Sequence, residues 1–549
     1  MRLEMIWKSI KTSLVGNDQW ALISLGLLNI LSIVYIFTLG GMFFRDFSIV
    51  FEGGLRILYG QIPFRDFFLP SGPVVYYMQA LFHWLCGENA SAMLLHASIV
   101  NIICLSCFFL YARKNIGNIP ALLLAILLHF FYYGAITNPW YNQTALLFFF
   151  LGQLILLNDI EKQNVIPLWK VIVSGFLLCI SIFSKQDIGM VGTVFIASQL
   201  ILFSNNNIKN TTTYLLSCLC PAILIVLYFV SVSDFGYWFN YGQEPHISRI
   251  GRLIELVRPV SFFSGSGWIY RTDIRMHFIF IAPAIFLYLK NYSKRSIFIL
   301  YMIIGLSMCD LVLGKTSSGA LSTKYFFLPL IGVLVIRLFL VDKAILSNEC
   351  KNIIVLLISW VILAYGSMIL PARLTLYHYF IEYVPGTYSR LSNSSYAGVH
   401  FLPGVIKGIE EIKEELKNKK SSEEQNWFLN LSSYTFLYAD LYVEPPRGVH
   451  LWHHYGNTMF DKDYAFLKEL IKRENFEYIL IAPSWGDFFI AERPGESNFI
   501  DGVSFKEFQN LNGYQEILRV WNEKTGTPTN PSKKFNTYWQ HTLYRKTSG

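Results

Sequence analysis

The chain has 549 residues, of which 53% are hydrophobic and only 15% are charged, and its mean hydropathy is +0.40. A soluble domain usually carries about 25% charged residues, and many segments here run for roughly 17–22 residues without a charge, the length that spans a hydrocarbon core. The composition excludes an ordinary soluble globular protein and predicts a polytopic α-helical membrane protein.

The formal net charge of +8 reflects the loops between the spans. Much of the excess Lys and Arg lies in short loops, where basic residues set the orientation of a membrane protein, so it is poor evidence for nucleic-acid binding. The eight cysteines mostly fall inside apolar runs, and they indicate neither a disulfide framework nor a zinc site. The N-terminus lacks a signal-peptide pattern, so we expect the first span to stay in place as an anchor.

Apolar runs predict about eleven transmembrane helices. They lie at 20–43, 92–112, 119–135, 144–157, 171–184, 188–203, 213–232, 276–289, 297–313, 325–341 and 353–370. With a cytoplasmic N-terminus, the loops on the cytoplasmic side hold most of the basic residues, whereas the short turns on the other side hold only Lys185, Lys315 and Lys324. The positive-inside rule therefore predicts this orientation, and an odd number of spans then places the C-terminus outside.

This topology predicts two long outer loops, at 44–91 and 233–274. The first contains two arginine–aspartate pairs, Arg45-Asp46 and Arg65-Asp66. Between the pairs, 49–59 is predicted to form a short helix that ends at Gly60. The segment 74–85 is apolar but interrupted by polar and aromatic residues, which predicts an interfacial helix in the headgroup layer.

The tail, 371–549, is predicted to be soluble. Helices are expected at 408–420 and 463–474, and strands at 427–431, 476–483 and 514–520. Alternating helices and strands predict a small α/β domain. The chain is thus expected to divide into a transmembrane domain, 1–370, and a periplasmic α/β domain, 371–549.

Asp46 has a structural and a functional interpretation. It follows the first span on the outer side, where it can form an interfacial ion pair or a helix cap, or act as a catalytic base. Asp66 presents the same choice. Two carboxylates in one outer loop favour function, because a site that handles a hydroxyl group needs a base and a partner to orient it.

Lys185 is a lone cation at the outer end of the fifth span, where it either snorkels to the headgroups or binds a lipid phosphate. The same choice applies to Arg252, Arg258, Arg271, Arg275 and Lys324. Several cations on a face where the positive-inside rule allows few favour an anionic ligand there. No metal is indicated, because His450, His453 and His454 lack metal-ligand spacing with a carboxylate.

The first outer loop resembles that of a known group of enzymes. A span, Asp46, a short helix and then Gly-Gln-Ile-Pro-Phe-Arg-Asp-Phe-Phe-Leu-Pro-Ser-Gly-Pro-Val-Val-Tyr-Tyr at 60–77 are similar to the first outer loop of GT-C glycosyltransferases. Within that group, the loop resembles those of the bacterial lipid A aminoarabinose transferases and the protein O-mannosyltransferases. The resemblance implies a GT-C fold with Asp46 as the catalytic acidic residue, Asp66 as the second acidic residue and Lys185 as the cation of a middle span.

The loop departs from the pattern of these relatives at two positions. Phe47 stands where many relatives have a second acidic residue, and Phe67 stands where aminoarabinose transferases carry a phosphate-binding Lys. The contact with phosphate is then expected from Arg65 or Lys185. The substrate-binding residues that we predict are Arg45, Arg65, Tyr76, Lys185, Arg252, Arg271 and Lys324.

The resemblance implies transfer of a sugar from a polyprenyl-phosphate carrier to a glycan, lipid or protein acceptor in the periplasm or at the cell surface. The departing phosphate needs cations rather than a general acid, so one carboxylate can act as base in a single displacement that inverts the anomeric carbon. The predicted location is the bacterial inner membrane, with membrane lipids as neighbours and no nucleic-acid partner.

Two other classes stay open at this point. One is a transporter or flippase of a lipid-linked glycan intermediate, and the other is an assembly subunit whose tail binds partner proteins. A transporter should carry ionisable groups at mid-span depth and interrupted helices in corresponding halves. The ionisable residues here gather at the outer ends of the spans, which favours the transferase.

Overall fold

The computed structural model describes the helical core and much of the tail. The described residues are 18–39, 45–69, 71–133, 138–233, 281–282, 284–285, 288–289, 293–316, 325–341, 389–390, 392, 394–401, 403–417, 427–432, 434–451, 461–481, 513–521 and 540–547. They fall into two compact units. The bundle unit comprises Met1–Leu39, Ala97–Ile225 and Ile247–Glu382, and the loop–tail unit comprises Gly40–His96, Val226–His246 and Tyr383–Gly549.

The described residues form fourteen helices and eight strands. The helices are α1 (Asp18–Leu39), α2 (Arg45–Leu58), α3 (Val74–Cys86), α4 (Ala90–Ile116), α5 (Asn118–Tyr132), α6 (Tyr141–Glu161), α7 (Leu168–Ser184), α8 (Gln186–Phe203), α9 (Asn207–Val232), α10 (Lys294–Thr316), α11 (Leu328–Val341), α12 (Pro403–Lys417), α13 (Leu437–Leu441) and α14 (Asp461–Glu474). The strands are β1 (Phe67–Phe68), β2 (Ser389–Arg390), β3 (His400–Phe401), β4 (Phe428–Leu431), β5 (Val449–His450), β6 (Tyr478–Ile481), β7 (Tyr514–Trp521) and β8 (Gln540–Lys546).

Among the described residues, six helices are long and apolar enough to cross a membrane, namely α1, α4, α6, α8, α9 and α10, and α5, α7 and α11 are shorter apolar helices. The chain is a polytopic helical membrane protein, as its composition predicts. The first seven predicted spans, and the ninth and tenth, each correspond to one of these helices. The eighth, 276–289, lies largely outside the described residues, and the eleventh, 353–370, lies wholly outside them.

Buried charges connect the helices at one end of the bundle unit. Glu161, the last residue of α6, accepts hydrogen bonds from Arg295 of α10 at 2.8 Å and from Arg337 of α11. Arg337 also donates to the hydroxyl of Tyr111 in α4 at 2.9 Å. Glu161 and Arg337 are almost fully buried, so removal of Glu161 would leave the guanidinium charge of Arg337 uncompensated in the protein interior.

α2 and α3 form a closely packed pair in the loop–tail unit. A Cβ atom at Gly53 would lie 2.3 Å from Cδ1 of Tyr76, and a Cβ atom at Gly54 would lie 2.6 Å from Cγ of Gln79. The two adjacent glycines therefore allow α3 to approach α2. Gly60, with φ of +77°, follows the end of α2. The helices predicted at 49–59 and 74–85 correspond to α2 and α3, and the interfacial position of α3 stays a prediction.

Replacement of Gly53 by alanine is expected to destabilise the loop–tail unit by about 1–3 kcal/mol, because overpacking forces the ring of Tyr76 to move. The measurement is thermal unfolding of the purified variant in lipid nanodiscs. Gly26→Ala in α1 is the matched control: no atom lies within 4 Å of its Cβ position, and the higher helix propensity of alanine should leave it at least as stable as wild type. Equal unfolding temperatures for the two variants would contradict the close packing of α2 on α3.

A four-stranded mixed sheet lies in the tail with the strand order β4-β6-β8-β7. β4 and β6 are parallel, whereas β8 runs antiparallel to both β6 and β7. Leu467, Leu470 and Ile471 of α14 pack with Leu429 and Ile479 of the sheet in a buried apolar cluster. β4, β6 and β7 match predicted strands, whereas β8 was not predicted.

Candidate active site

A tight turn in the segment that is predicted to be the first outer loop, 44–91, fixes the carboxylate of Asp66. The backbone N–H of Ile62 donates to Oδ2 at 2.8 Å, and Arg65 donates from Nη2 to Oδ2 at 2.6 Å and from Nε to Oδ1 at 3.1 Å. Nη1 of Arg447, from the tail, lies 3.6 Å from Oδ1. The side chain of Asp66 is 7% exposed, whereas those of Arg65 and Arg447 are 42% and 59% exposed. The buried carboxylate thus contacts two accessible guanidinium groups.

These contacts keep Asp66 ionised. Burial raises the pKa of the Asp66 carboxyl, but the hydrogen bonds from Arg65 and Ile62, together with the charges of Arg65 and Arg447, outweigh burial and hold the pKa below its ordinary value. A hydrogen bond to the same carboxylate raises the pKa of Arg65. A carboxylate with a lowered pKa is a weak base, so Asp66 is better suited to orienting donors and balancing charge than to accepting a proton.

The tail reaches this loop through a short parallel strand pair formed by β1 and β5. The backbone N–H of Gly448 donates to the carbonyl oxygen of Asp66 at 2.6 Å, and that of Leu451 donates to the carbonyl oxygen of Phe68 at 3.1 Å. Arg447 lies beside Asp66 because the next residue is bonded to the Asp66 backbone. Sequence analysis did not identify Arg447 as a site residue.

A fully buried arginine connects the same tail segment to α2 through hydrogen bonds. Arg56 donates from Nε and Nη2 to Oε1 of Glu52, at 2.8 and 2.6 Å. Its Nη1 donates to Oε1 of Gln61 at 3.0 Å and to the carbonyl oxygen of Pro446 at 2.6 Å. Burial raises the pKa of Glu52, and the charge and hydrogen bonds of Arg56 oppose that rise. Arg56 therefore links α2, the turn after α2 and the residue that precedes Arg447.

The first predicted arginine–aspartate pair lies at the start of α2. Arg45 and Asp46 occupy its first turn, and the side chains of both lie outside the described residues. A carboxylate is favoured in the first turn of a helix, which is compatible with both interpretations of Asp46. Arg252, Arg271 and Lys324 also lie outside the described residues.

Tyr76 and Lys185 lie in different units. Tyr76 of α3 is fully buried in the loop–tail unit, with its hydroxyl 3.1 Å from Oγ of Ser71. Lys185, in the bundle unit, separates α7 from α8; its side chain is 8% exposed, and its Nζ lies 3.8 Å from Oδ2 of Asp187 and 5.3 Å from the ring centre of Tyr141. A snorkelling lysine projects outward, so this burial favours a role for Lys185 within the bundle unit.

The cluster of Asp66, Arg65 and Arg447 is suited to an anionic ligand. Accessible guanidinium groups bind phosphate or carboxylate oxygens through paired, charge-assisted hydrogen bonds. Glu444 lies 4.0 Å from Nη2 of Arg447 and is itself 45% exposed. Asp66 and Glu444 together balance the two guanidinium charges, so an anion would bind through the guanidinium N–H groups that stay accessible rather than through excess positive charge. In the part of the chain that the structure describes, no group of three or more His, Cys, Asp or Glu side chains is placed to hold a metal ion.

Part of the chain matches a known protein family. Residues 70–230 match the family model described as dolichyl-phosphate-mannose-protein mannosyltransferase. This match confirms, over that stretch, the resemblance predicted from the residues at 60–77. Asp46 and Asp66 precede the matched stretch, whereas Tyr76 and Lys185 lie within it. The search of curated proteins found no match.

Two solved structures are similar to the chain at low identity. The crystal structure of the Archaeoglobus fulgidus oligosaccharyltransferase in complex with Zn and sulfate is 11% identical with a TM-score of 0.48, and the alignment covers 83% of this chain and 67% of that one. ArnT from Cupriavidus metallidurans bound to undecaprenyl phosphate is 11% identical with a TM-score of 0.39, over 87% of this chain and 95% of that one.

Proposed function

We propose that the chain is a membrane glycosyltransferase of the GT-C type, which transfers a sugar from a polyprenyl-phosphate carrier to an acceptor outside the cytoplasm. The observation that carries the proposal is the first outer loop of a polytopic membrane protein, in which Asp66 is kept ionised by Arg65 and Arg447. The family match over 70–230 supports the same class of enzyme.

The cations of the loop suit the leaving group of this reaction. When the bond between the anomeric carbon and the phosphate oxygen breaks, negative charge develops on the lipid phosphate, and guanidinium groups stabilise that charge. Arg65 and Arg447 are accessible, and the carboxylate of Asp66 fixes the orientation of Arg65. We assign these two arginines to the phosphate. Further substrate contacts that we propose from the sequence are Arg45, Tyr76, Lys185, Arg252, Arg271 and Lys324.

Asp46 is the proposed general base. It takes the proton of the acceptor hydroxyl while the hydroxyl oxygen forms a bond to the anomeric carbon, and the lipid phosphate leaves as an anion. A single displacement of this kind inverts the configuration of the anomeric carbon. Asp66 takes no proton in this scheme and instead positions the donor through Arg65.

The proposed topology has eleven spans, a cytoplasmic N-terminus and a tail on the outer side of a bacterial inner membrane. The hydrogen bonds between the first outer loop and the segment around Arg447 support an odd number of spans. The loop after the first span and the tail after the last span lie on the same side of the membrane only when that number is odd. The proposed domains are a transmembrane part, 1–370, and an outer α/β domain, 371–549.

The pH dependence of transfer distinguishes the two aspartates. A general base must be deprotonated, so kcat/KM falls as the pH drops through the pKa of the base. We expect Asp66→Asn to lower kcat/KM by about 10- to 100-fold, because the donor is misplaced. The acidic limb of the pH profile should not shift, because the pKa of Asp66 is held below its ordinary value. An acidic limb that moves or disappears in this variant would make Asp66 the titrating base.

The proposed function is tested in proteoliposomes that contain the purified protein, undecaprenyl phosphate carrying a radiolabelled sugar, and an envelope extract as acceptor. A transferase moves the label from the lipid to the acceptor. A flippase leaves the label on the lipid and moves the lipid between leaflets. Transfer by wild type supports the proposal, and flipping without transfer would assign the chain to the transporters.

A further inference from the structure

A pocket whose lining does not include Asp66 lies in the loop–tail unit. Its volume is about 790 Å³, which falls in the range of small-molecule sites. The first outer loop and the tail both contribute to its walls. The lining residues that carry the inference are Tyr59, Trp84, Glu88, Lys413, Asp440 and Tyr442.

The ionisable groups of the pocket are paired and nearly balanced in charge. The hydroxyl of Tyr59 donates to Oε2 of Glu88 at 2.9 Å, and Nζ of Lys413 lies 2.7 Å from Oδ2 of Asp440. A backbone N–H also donates to Oδ1 of Asp440 at 2.6 Å. Lys417 supplies a second cation to the lining, so two carboxylates face two ammonium groups. Fixed polar groups without excess charge suit a neutral, polar ligand.

Two aromatic side chains of the pocket are exposed. Trp84 is 71% exposed and Tyr442 is 83% exposed. Tyr442 follows the end of α13 with φ of +54°, a left-handed conformation that is unfavourable for a bulky side chain. Burial of the ring does not compensate for this conformation, because the ring is exposed. The conformation ends α13, where the backbone N–H of Tyr442 donates to the carbonyl oxygen of Ala439 at 3.2 Å, and the ring stays exposed beside the pocket.

Exposed aromatic rings next to fixed polar groups match the surface of a saccharide. A sugar ring presents C–H groups on its faces, which pack on Trp and Tyr rings, and hydroxyl groups at its edges, which both donate and accept hydrogen bonds. Glu88 can accept from these hydroxyls and Lys417 can donate to them. Lys413 and Asp440 pair with each other, with side chains only 10% and 2% exposed, and form part of the pocket wall. An acyl chain would cover the polar atoms of Glu88 and Lys417 without forming hydrogen bonds to them. The lining residues that the structure describes include no arginine, whose paired N–H groups favour phosphate.

We propose that this pocket binds the saccharide part of a glycan, with Trp84 and Tyr442 packing against sugar rings. The inference rests on the proposed function in one respect, because it names the acceptor of the transferase as a glycan. Trp84 also belongs to an exposed apolar face of α3 that includes Tyr77, Leu81 and Leu85. That face is predicted to lie in the headgroup layer, so the pocket is suited to a glycan that is carried on a lipid.

The test measures glycan binding to the whole protein in lipid nanodiscs, because maltoside detergents would themselves present sugars to the pocket. The probe is the mixture of glycans that mild acid releases from the lipids of the host membrane, labelled with a fluorophore at the reducing end and followed by fluorescence polarisation. We expect Trp84→Ala and Tyr442→Ala each to weaken binding about 10-fold or more, and Trp84→Phe to retain most of it. Trp169→Ala is the matched control, since Trp169 is a 59% exposed residue of α7, and it should bind as wild type does.

The outcomes separate this inference from the proposed function. Absence of glycan binding by wild type, or equal binding by wild type, Trp84→Ala and Tyr442→Ala, overturns the saccharide pocket even if sugar transfer is observed. Binding of envelope peptides, rather than glycans, in a manner that depends on Trp84 would also overturn it. If glycan binding depends on Trp84 but the protein transfers no sugar from a polyprenyl-phosphate donor, the saccharide-binding pocket is supported and the proposed function is wrong.

Discussion

Asp46→Asn is expected to transfer sugar about 10²–10⁴-fold more slowly than wild type, the usual effect of removing a general base. The amide keeps the size of the side chain but cannot take the proton of the acceptor hydroxyl. Donor binding should change little, because the cations assigned to the phosphate are untouched. The measurement is the rate of a single turnover in proteoliposomes loaded with labelled donor and saturating acceptor.

Two variants control for nonspecific effects of the Asp46 substitution. Asp46→Glu retains a carboxylate and should recover part of the rate. Asp159→Asn removes an acidic residue that pairs with Lys170 at 2.7 Å in the bundle unit, and it should transfer sugar as wild type does. If Asp46→Asn transfers at the wild-type rate while remaining folded, Asp46 is an interfacial charge or a helix cap, and the assignment of the base is wrong.

Arg56→Met is expected to destabilise the loop–tail unit by about 3–5 kcal/mol, because it leaves the carboxylate of Glu52 buried without a counter-charge. The substitution also removes the donor that holds the carbonyl oxygen of Pro446, so the segment that presents Arg447 should loosen. The measurement combines the thermal unfolding temperature in nanodiscs with the rate of limited proteolysis of the tail.

Arg545→Met is the matched control for this effect. Arg545 also pairs with a glutamate, at 3.4 Å from Glu477, and lies 5.8 Å from an aromatic ring centre, but its side chain is 44% exposed. Its removal should cost less than about 1 kcal/mol. The double variant Glu52→Leu/Arg56→Met should regain stability relative to Arg56→Met, since it removes both buried charges. Equal losses for Arg56→Met and Arg545→Met would contradict the structural role of Arg56.

The spans and the helices of the first outer loop could be predicted because their signals are local. Each of the nine predicted spans that correspond to a helix is an apolar run, although α5, α7 and α11 are shorter than the other six, and α3 is an apolar segment with polar interruptions. The end of α2 is marked by Gly60, whose φ of +77° is readily adopted by glycine. The resemblance at 60–77 is local as well, and the family match over 70–230 confirms it where the two overlap.

The surroundings of Asp66 could not be predicted, because they depend on contacts between distant parts of the chain. Pro446, which accepts from Arg56, lies 390 positions later in the sequence. Nothing in the residues around Arg447 marks them as neighbours of the first outer loop. The pairing of Glu52 with Arg56 did have a local signal, the i,i+4 spacing on a helix. The pairing of Arg337 with Glu161 had no local signal, because Arg337 lies within an apolar run and Glu161 lies on another helix.

The measurement that tests the central claim most directly is the stoichiometry between sugar transferred and polyprenyl phosphate released. Wild-type protein in proteoliposomes is given undecaprenyl phosphate that carries a labelled sugar, and both products are quantified over time beside Asp46→Asn. The account predicts one molecule of free undecaprenyl phosphate for each sugar incorporated into acceptor by wild type, and almost neither product from Asp46→Asn. Release of undecaprenyl phosphate without incorporation, or equal yields from the two proteins, would contradict it.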